Sequence, residues 1–356
     1  MHFTFFPQSL VPFDAFTLEE RPLGGTETGV IRLAAALKQL GHEVVVYTSE
    51  RNPRESSPTY LPIPEAQKMR PTDVFICIRE WIPLAVRIPC KLRLYWTGDA
   101  ADQVHSFGVG DKRVQNLFSR LLTVSDWQTD TLCAASGLDR AKCFTLRNGV
   151  HLPLFTSHQK RDPFRLMYSS TPFRGLALLK HIFPRIRAQV PEATLHVFSG
   201  FEVYNGKAPY APDLQEQFQK EFDTLKSIAG VVCHGNVRQD LLAQEFQKST
   251  VLAYPSSFAE TSCITALEAI AAGCIPVTSK LGALPETLGD CGIIVEGDLS
   301  STEFIERYAA EVVELLQNSA RQEEIRTRCN ARRNTLGWDH IAERLVDCVR
   351  EIASAG

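Results

Sequence analysis

The chain has 356 residues, of which 44% are hydrophobic and 22% are charged, and its formal net charge is -3 at pH 7. This length is too great for one typical hydrophobic core and fits two domains of ordinary size. The composition is typical of a soluble globular protein. The net negative charge argues against a nucleic-acid-binding protein, because a groove that follows a phosphate backbone usually needs a basic excess.

The N-terminal stretch, MHFTFFPQSLVPF, has no basic leader, and no later segment approaches the roughly 18 apolar residues of a membrane span. We therefore expect a cytoplasmic protein. The ten cysteines include no C-x-x-C pair, so they are typical of small buried hydrophobes rather than of a disulfide framework or a zinc site. Cys263 is the exception, because a predicted helix N-terminus there could lower the pKa of its thiol.

The first strong pattern is a strand, a loop, a helix and a second strand. Residues 2–6 form a short apolar strand, Gly24-Gly25-Thr26-Glu27 opens a helix, and the next strand covers 44–47. This order is typical of a parallel α/β sheet. Two glycines before a helix permit close approach of the backbone to a phosphate or a sugar, although a tight turn explains them equally well. No G-x-G-x-x-G occurs, which argues against a dinucleotide oxidoreductase.

Polar residues follow the next two predicted strands. The strand over 73–78 is followed by Arg79, and the strand over 92–96 is followed by Thr97-Gly98-Asp99. Open α/β sheets bind their ligands at the carboxyl ends of the strands. These positions are therefore candidates for a binding site.

A second α/β series begins after the polar stretch 156–163, which we interpret as the interdomain linker. The strand over 165–168 leads to a loop that contains Arg174. The next strand ends at Ser199-Gly200, and a further strand and turn contain Gly235.

The most informative stretch runs from 254 to 276 and reads YPSSFAETSCITALEAIAAGCIP. Glu260 lies in a loop before a predicted helix, and Glu268 lies roughly two turns along it. The backbone N–H groups near Ser262 and Cys263, together with the helix dipole, would suit a phosphate anion. Glu260 could then lie beside a group joined to that phosphate, and Glu268 could accept hydrogen bonds from hydroxyls. Sugar and ribose hydroxyls fit this description.

This stretch resembles the donor-site signature of retaining glycosyltransferases of family 4, which have the GT-B fold. The matching residues are Glu260, Glu268, Ala269, Gly273, Pro276 and Val277. The resemblance implies an α/β protein with two Rossmann-like domains facing across a cleft. It assigns residues 1–155 to the acceptor side and 156–337 to the nucleotide sugar. A terminal helix over 338–356 would cross back to the first domain.

The resemblance also implies roles for single residues. Glu260 would lie at the donor sugar and Glu268 at the ribose, while Arg174 occupies the position of a diphosphate-binding lysine. The groups expected at the diphosphate and the nucleobase are Gly24, Gly25, Thr26, Thr261, Ser262, Cys263, Gly200 and Gly235. The sequence departs from the family at two places, since Gly98 replaces a histidine before Asp99 and Ser169 replaces an arginine.

The activity that this resemblance implies is transfer of a sugar from a nucleotide-diphosphate sugar to an unidentified acceptor. The reaction would retain the anomeric configuration and would need neither metal nor cofactor, with Glu260 and Asp99 as candidate catalytic residues. Two alternatives stay open. One is an inactive, nucleotide-binding subunit with the same fold. The other is a different GT-B enzyme, such as a nucleotide-sugar epimerase.

Peripheral association with the inner face of the membrane also stays open. The cations Lys112, Arg113 and Arg120 flank the apolar residues Val114, Leu117 and Phe118. This pattern is a weak hint, because it is more often that of an ordinary surface helix.

Overall fold

The computed structural model describes residues 1–9, 11–157, 159–200 and 212–355. Contacts within the chain divide it into two compact units, one formed by Met1–Gly149 with Gly337–Gly356 and the other by Val150–Leu336. Each unit has its own parallel sheet, which confirms the predicted pair of Rossmann-like domains. None of the described helices combines the length and apolar character that crossing a bilayer would require.

The first unit is built on a seven-stranded parallel sheet with the order β3-β2-β1-β4-β5-β6-β7. Its strands are β1 (His2–Pro7), β2 (Glu43–Thr48), β3 (Thr59–Pro62), β4 (Thr72–Ile78), β5 (Cys90–Trp96), β6 (Arg120–Thr123) and β7 (Cys143–Thr145). Its first helices are α1 (Thr17–Glu20), α2 (Gly25–Gln39), α3 (Lys112–Gln115) and α4 (Asp126–Ser136). Short 3-10 helices cover Ile63–Lys68, Ile82–Ala85, Val104–Ser106 and Arg140–Lys142.

The second unit has a six-stranded parallel sheet with the order β10-β9-β8-β11-β12-β13. Its strands are β8 (Arg165–Ser169), β9 (Thr194–Phe198), β10 (Val231–Cys233), β11 (Val251–Tyr254), β12 (Ile275–Ser279) and β13 (Ile293–Val295). Its helices are α5 (Leu179–Gln189), α6 (Pro212–Lys226), α7 (Gln239–Lys248), α8 (Ile264–Ala272), α9 (Leu284–Leu288), α10 (Thr302–Gln317) and α11 (Ser319–Arg333). Further 3-10 helices are Leu152–Phe155, Leu176–Leu178 and Asn334–Leu336.

The terminal helix α12 (Trp338–Ala355) belongs to the first unit and packs on α2. The apolar stripe of the sequence lies on its buried side, where Ile341, Leu345 and Val349 join the same core as α2. Burial of this stripe stabilises the helix more than its intrinsic propensity does. The predicted return of the terminal helix to the first domain is thereby confirmed.

The helix around Lys112 does not present an apolar face to solvent. Val114 and Phe118 are buried in a core cluster that also contains Tyr95 and Leu121, while Lys112 is exposed. The apolar residues of this segment therefore stabilise the first unit. The structure removes this segment as an argument for association with a membrane.

All ten cysteines are free, and six of them are buried. The prediction that they are small buried hydrophobes holds for those six residues. They are Cys77, Cys263, Cys274, Cys291, Cys329 and Cys348.

Candidate active site

Glu260 is a buried carboxylate in the loop between β11 and α8, with only 3% of the residue exposed. Arg174 Nη1 donates to both of its oxygens at 2.5 Å, and the Tyr254 hydroxyl donates to Oε1, also at 2.5 Å. A buried carboxylate is stable only when it is paired and hydrogen-bonded. These contacts satisfy that requirement and fix the orientation of the carboxylate.

Two glycines allow neighbouring loops to pack against the backbone around Glu260. Gly175 has a φ of 93°, and a Cβ there would lie 2.0 Å from the carbonyl oxygen of Pro255. Gly282 has a φ of 59°, and a Cβ there would lie 2.5 Å from the carbonyl oxygen of Glu260. The amide of Ala283 also donates to that oxygen at 2.7 Å. Larger residues would displace the loop that carries the carboxylate.

Arg174 is brought to Glu260 by the loop that follows β8. Its guanidinium lies 4.4 Å from the centre of the Phe258 ring, and 26% of its side chain is exposed. The aromatic contact and the ion pair together hold the guanidinium in one place. The sequence placed Arg174 at a diphosphate, whereas its pairing with Glu260 was not predicted.

The acidities of the neighbouring groups follow from burial. Burial and the charge of Glu260 raise the pKa of the Tyr254 hydroxyl well above its usual range, so Tyr254 stays protonated and acts as a donor. Burial also raises the pKa of the Cys263 thiol, and Glu260 adds to this effect. The expectation that the start of α8 would lower that pKa is wrong, because desolvation outweighs the helix terminus.

Glu268 lies within α8 and is also buried, with 6% of the residue exposed. Gln239, at the start of α7, donates from its side-chain amide to Glu268 Oε1. Thr261 and Ser262 are partly exposed in the loop before the helix. The two glutamates of the sequence pattern therefore flank the N-terminal part of α8, as predicted. The contact with Gln239 was not predicted.

The carboxyl edge of the second sheet also carries buried hydroxyls without partners. Ser199, next to Gly200 at the end of β9, has 2% of its surface exposed, and among the described residues nothing bonds its hydroxyl. The hydroxyl of Thr171, in the loop after β8, is in the same situation. A Cβ on Gly235 would meet open space. Unpaired buried hydroxyls are costly, and a bound ligand would satisfy them.

Within the described part of the chain, no group of three or more His, Cys, Asp or Glu side chains is placed to hold a metal ion.

A pair of histidines lies beside the Gly235 turn. His196 Nδ1 is 3.0 Å from His234 Nε2, and the His234 ring stacks on Phe198 at 4.5 Å between ring centres. Burial is the main cause that lowers the pKa of His196 to about 4, and Arg165 and His234 lower it further. Burial lowers the pKa of His234 as well. Both rings are therefore neutral near pH 7.

We predict that His196 makes the free energy of unfolding depend on pH. The ordinary pKa of histidine is about 6.5, so the unfolded chain binds more protons than the folded chain between about pH 6.5 and pH 4. The stabilisation is present above pH 6.5 and is lost as the pH falls through this window. Thermal unfolding between pH 7.5 and pH 4.5 should show a smaller loss in His196→Gln than in the parent. The exposed His181 on α5 provides the control, since His181→Gln should keep the parent profile.

In the first unit, Gly24 caps the N-terminus of α2, with Gly25 and Thr26 in its first turn. The side chain of Glu27 in the same turn is buried, and the Ser9 hydroxyl donates to its Oε1 at 2.5 Å. A carboxylate is favourable at a helix N-terminus. The predicted anion site at this loop therefore shares the terminus with a buried negative charge.

Asp99 lies just beyond β5 and contacts a strained residue. Arg79 Nε is 3.2 Å from Asp99 Oδ2, and Arg79 has a φ of 74°, which is unusual for a residue other than glycine. The Tyr95 hydroxyl donates to the Arg79 carbonyl at 2.8 Å. His105 pairs with Glu80 at 2.9 Å. Strained residues concentrate at functional sites, so this cluster marks the carboxyl edge of the first sheet as a candidate binding site.

Comparison with known families accounts for the second unit. Residues 165–318 match the model of the family described as glycosyl transferases group 1. The second unit is a group 1 glycosyltransferase domain. The matched range of this glycosyltransferase domain contains Arg174, Glu260 and Glu268, the charged residues of the site described above.

One relative of the glycosyltransferase is a phosphatidylinositol N-acetylglucosaminyltransferase subunit of Arabidopsis thaliana, at 26% identity over 184 residues. The match covers 49% of this chain and 37% of that relative, so the chain corresponds to well under half of the relative's length.

Solved structures resemble the glycosyltransferase over almost its whole length. The Anabaena protein HepE, in complex with UDP and glucose, has a TM-score of 0.70 at 15% identity, covering 99% of this chain and 100% of HepE. A glycosyltransferase from Rickettsia africae has a TM-score of 0.68 at 13% identity, covering 100% of this chain and 99% of that protein. These likenesses show that the chain has the GT-B fold.

Proposed function

We propose that the chain is a retaining glycosyltransferase of family 4 that takes its sugar from a nucleotide-diphosphate sugar. The observation that carries the proposal is the buried Glu260 carboxylate, held by Arg174 and Tyr254 in the group 1 domain. In the reaction, the bond between the anomeric carbon and the diphosphate oxygen breaks, and a bond to an acceptor hydroxyl oxygen forms. The acceptor proton passes to the leaving diphosphate.

Glu260 would act on the sugar. Its negative charge stabilises the positive charge that develops at the anomeric carbon, or it orients the sugar hydroxyls. Because Tyr254 and Arg174 already satisfy it, the carboxylate needs no reorganisation during the reaction. We do not assign it the role of an attacking nucleophile.

The diphosphate and nucleoside would be bound by other groups of the same domain. Arg174 and the amides of Thr261–Cys263 would neutralise and bind the diphosphate without a metal ion. Glu268 would accept hydrogen bonds from the ribose, and the nucleobase would lie near Gly200 and Gly235. The unpartnered hydroxyls of Thr171 and Ser199 would supply further bonds to the donor.

The first unit would supply the remaining groups. We assign Gly24, Gly25 and Thr26 to the diphosphate and Asp99, with its partner Arg79, to the acceptor side. The identity of the acceptor does not follow from these contacts.

A thermal-shift screen tests the proposal. The ligands are UDP, GDP, ADP, CMP and their common sugar conjugates, with UDP and UDP-glucose first because HepE was solved with UDP and glucose. A ligand that binds only the folded chain adds about 2.7 kcal/mol at one hundred times its Kd. We expect a selective rise in Tm with one nucleoside diphosphate, which is lost in Glu268→Ala. Unchanged Tm values with every ligand would contradict the proposal.

The second candidate function is a nucleotide-binding subunit without transferase activity. It is favoured by the ion pair that engages Arg174 with Glu260, and by Gly98 in place of a histidine before Asp99. Nucleotide binding without either transfer or hydrolysis of the sugar nucleotide would select this alternative.

A further inference from the structure

Four large apolar side chains are exposed on two loops of the first unit. Ile82 and Val86 follow β4 and are each 61% exposed, while Val104 and Phe107 follow β5 and are 66% and 63% exposed. We call these four residues the apolar loop surface. It borders the carboxyl edge of the first sheet, where Asp99 lies.

The exposure belongs to well-anchored loops. Between the exposed residues, Leu84 is fully buried, and Val109 follows with 1% exposure. Trp81 Nε1 donates to the Phe107 carbonyl at 2.8 Å and so ties the two loops together. The Tyr95 hydroxyl lies within hydrogen-bond distance of carbonyls in both loops. The apolar side chains are therefore held outward by a fixed scaffold.

We propose that the apolar loop surface inserts into the interface of an anionic phospholipid bilayer. The four side chains expose apolar area on the order of 500 Å², which is in the range of functional patches but below the roughly 800 Å² per partner of a stable protein interface. Side chains that project from loop tips can enter the boundary between headgroups and acyl chains without a large flat partner. The proposal concerns attachment and goes beyond sugar transfer.

The charges around the surface favour anionic lipids. Three nearby acids are paired with cations, since Glu80 contacts His105, Asp99 contacts Arg79 and Asp111 contacts Arg113. Arg87, next to Val86, and Lys112 are exposed, and no acidic partner is found for either among the described residues. Asp102 is exposed next to the second loop and opposes them. The exposed cations therefore outnumber the unpaired acid, and cations near a membrane surface are attracted by anionic lipids.

Co-sedimentation of the full chain with vesicles tests the proposal. The vesicles contain phosphatidylcholine alone or phosphatidylcholine with phosphatidylglycerol, and no sugar nucleotide is present. We expect binding to the anionic vesicles that weakens with salt. The double variant Ile82→Ser, Phe107→Ser should reduce the partition coefficient about tenfold or more. Arg87→Gln with Lys112→Gln should reduce binding to the anionic vesicles.

The second unit offers a matched control. Val232 and Leu241 are 43% and 45% exposed there, so Val232→Ser with Leu241→Ser removes similar exposed apolar groups and should bind vesicles like the parent. Equal losses in both double variants, or sedimentation of the parent with neither kind of vesicle, would overturn the proposal. So would a dimer in solution that Ile82→Ser, Phe107→Ser dissociates, since a second copy would then cover the surface. The nucleotide-induced Tm shift of each variant reports separately on the proposed function.

Discussion

Replacing Glu260 by Gln is expected to lower the rate of sugar transfer at saturating donor by about 10²- to 10³-fold. Glutamine keeps the shape of the side chain, and its carbonyl oxygen can still accept from the Tyr254 hydroxyl. It removes the negative charge that would stabilise the sugar in the transition state. The amide also places donors against Arg174, so the free energy of unfolding should fall as well.

Initial rates and nucleotide-induced Tm shifts are measured together in this experiment. The nucleotide should still raise the Tm of Glu260→Gln, while Glu306→Gln, an exposed substitution on α10, should keep the parent rate. Tyr254→Phe removes one donor to the carboxylate and provides a milder variant if Glu260→Gln is poorly folded. Parent rates in both Glu260→Gln and Tyr254→Phe would remove Glu260 from the catalytic assignment.

Replacing Glu268 by Ala is expected to weaken nucleotide binding, with a smaller effect on the rate at saturating donor. A hydrogen bond to a charged group contributes about 1.5–3 kcal/mol, so the Kd of the nucleoside diphosphate should rise about 10- to 100-fold. Ribose contacts are the same in the ground state and the transition state, so their loss affects binding more than turnover. Titration calorimetry measures the Kd directly.

The bond from Gln239 to Glu268 needs its own control, because Glu268→Ala also breaks this contact between α7 and α8. Gln239→Ala breaks the same bond but keeps the carboxylate, and we expect a smaller rise in Kd. Equal effects of the two variants would mean that Glu268 acts by holding the helices together. A large loss of turnover at an unchanged Kd would contradict the assignment to ribose.

The central strands could be predicted from the sequence because they are buried on both faces and read as continuous apolar runs. Two strands were missed, β3 and β7, which lie at opposite edges of the first sheet. β3 has four residues and only Tyr60 is buried, while all three residues of β7 are only partly buried. Short, half-exposed edge strands carry too few apolar residues to be recognised from their pattern.

The candidate site was predictable where it depends on local spacing. Glu260 and Glu268 share one loop and helix, so their pattern is visible in the sequence. The pairing of Arg174 with Glu260 joins residues 86 positions apart, and the contact of Gln239 with Glu268 depends on how two helices pack. The left-handed backbone of Arg79 also has no local sequence mark. Such contacts are set by topology and packing.

The first unit is assembled from two separate segments of the chain, whereas the second unit is continuous. Protein synthesis therefore releases the whole of Val150–Leu336 before it releases the helix that completes the core of the first unit. Until then, the face of α2 that packs on Leu345 and Val349 stays uncovered. Domains generally fold as units while they emerge from the ribosome. In this protein, the second unit has all the residues of its core first, and the N-terminal sheet is the last part to become fully stable.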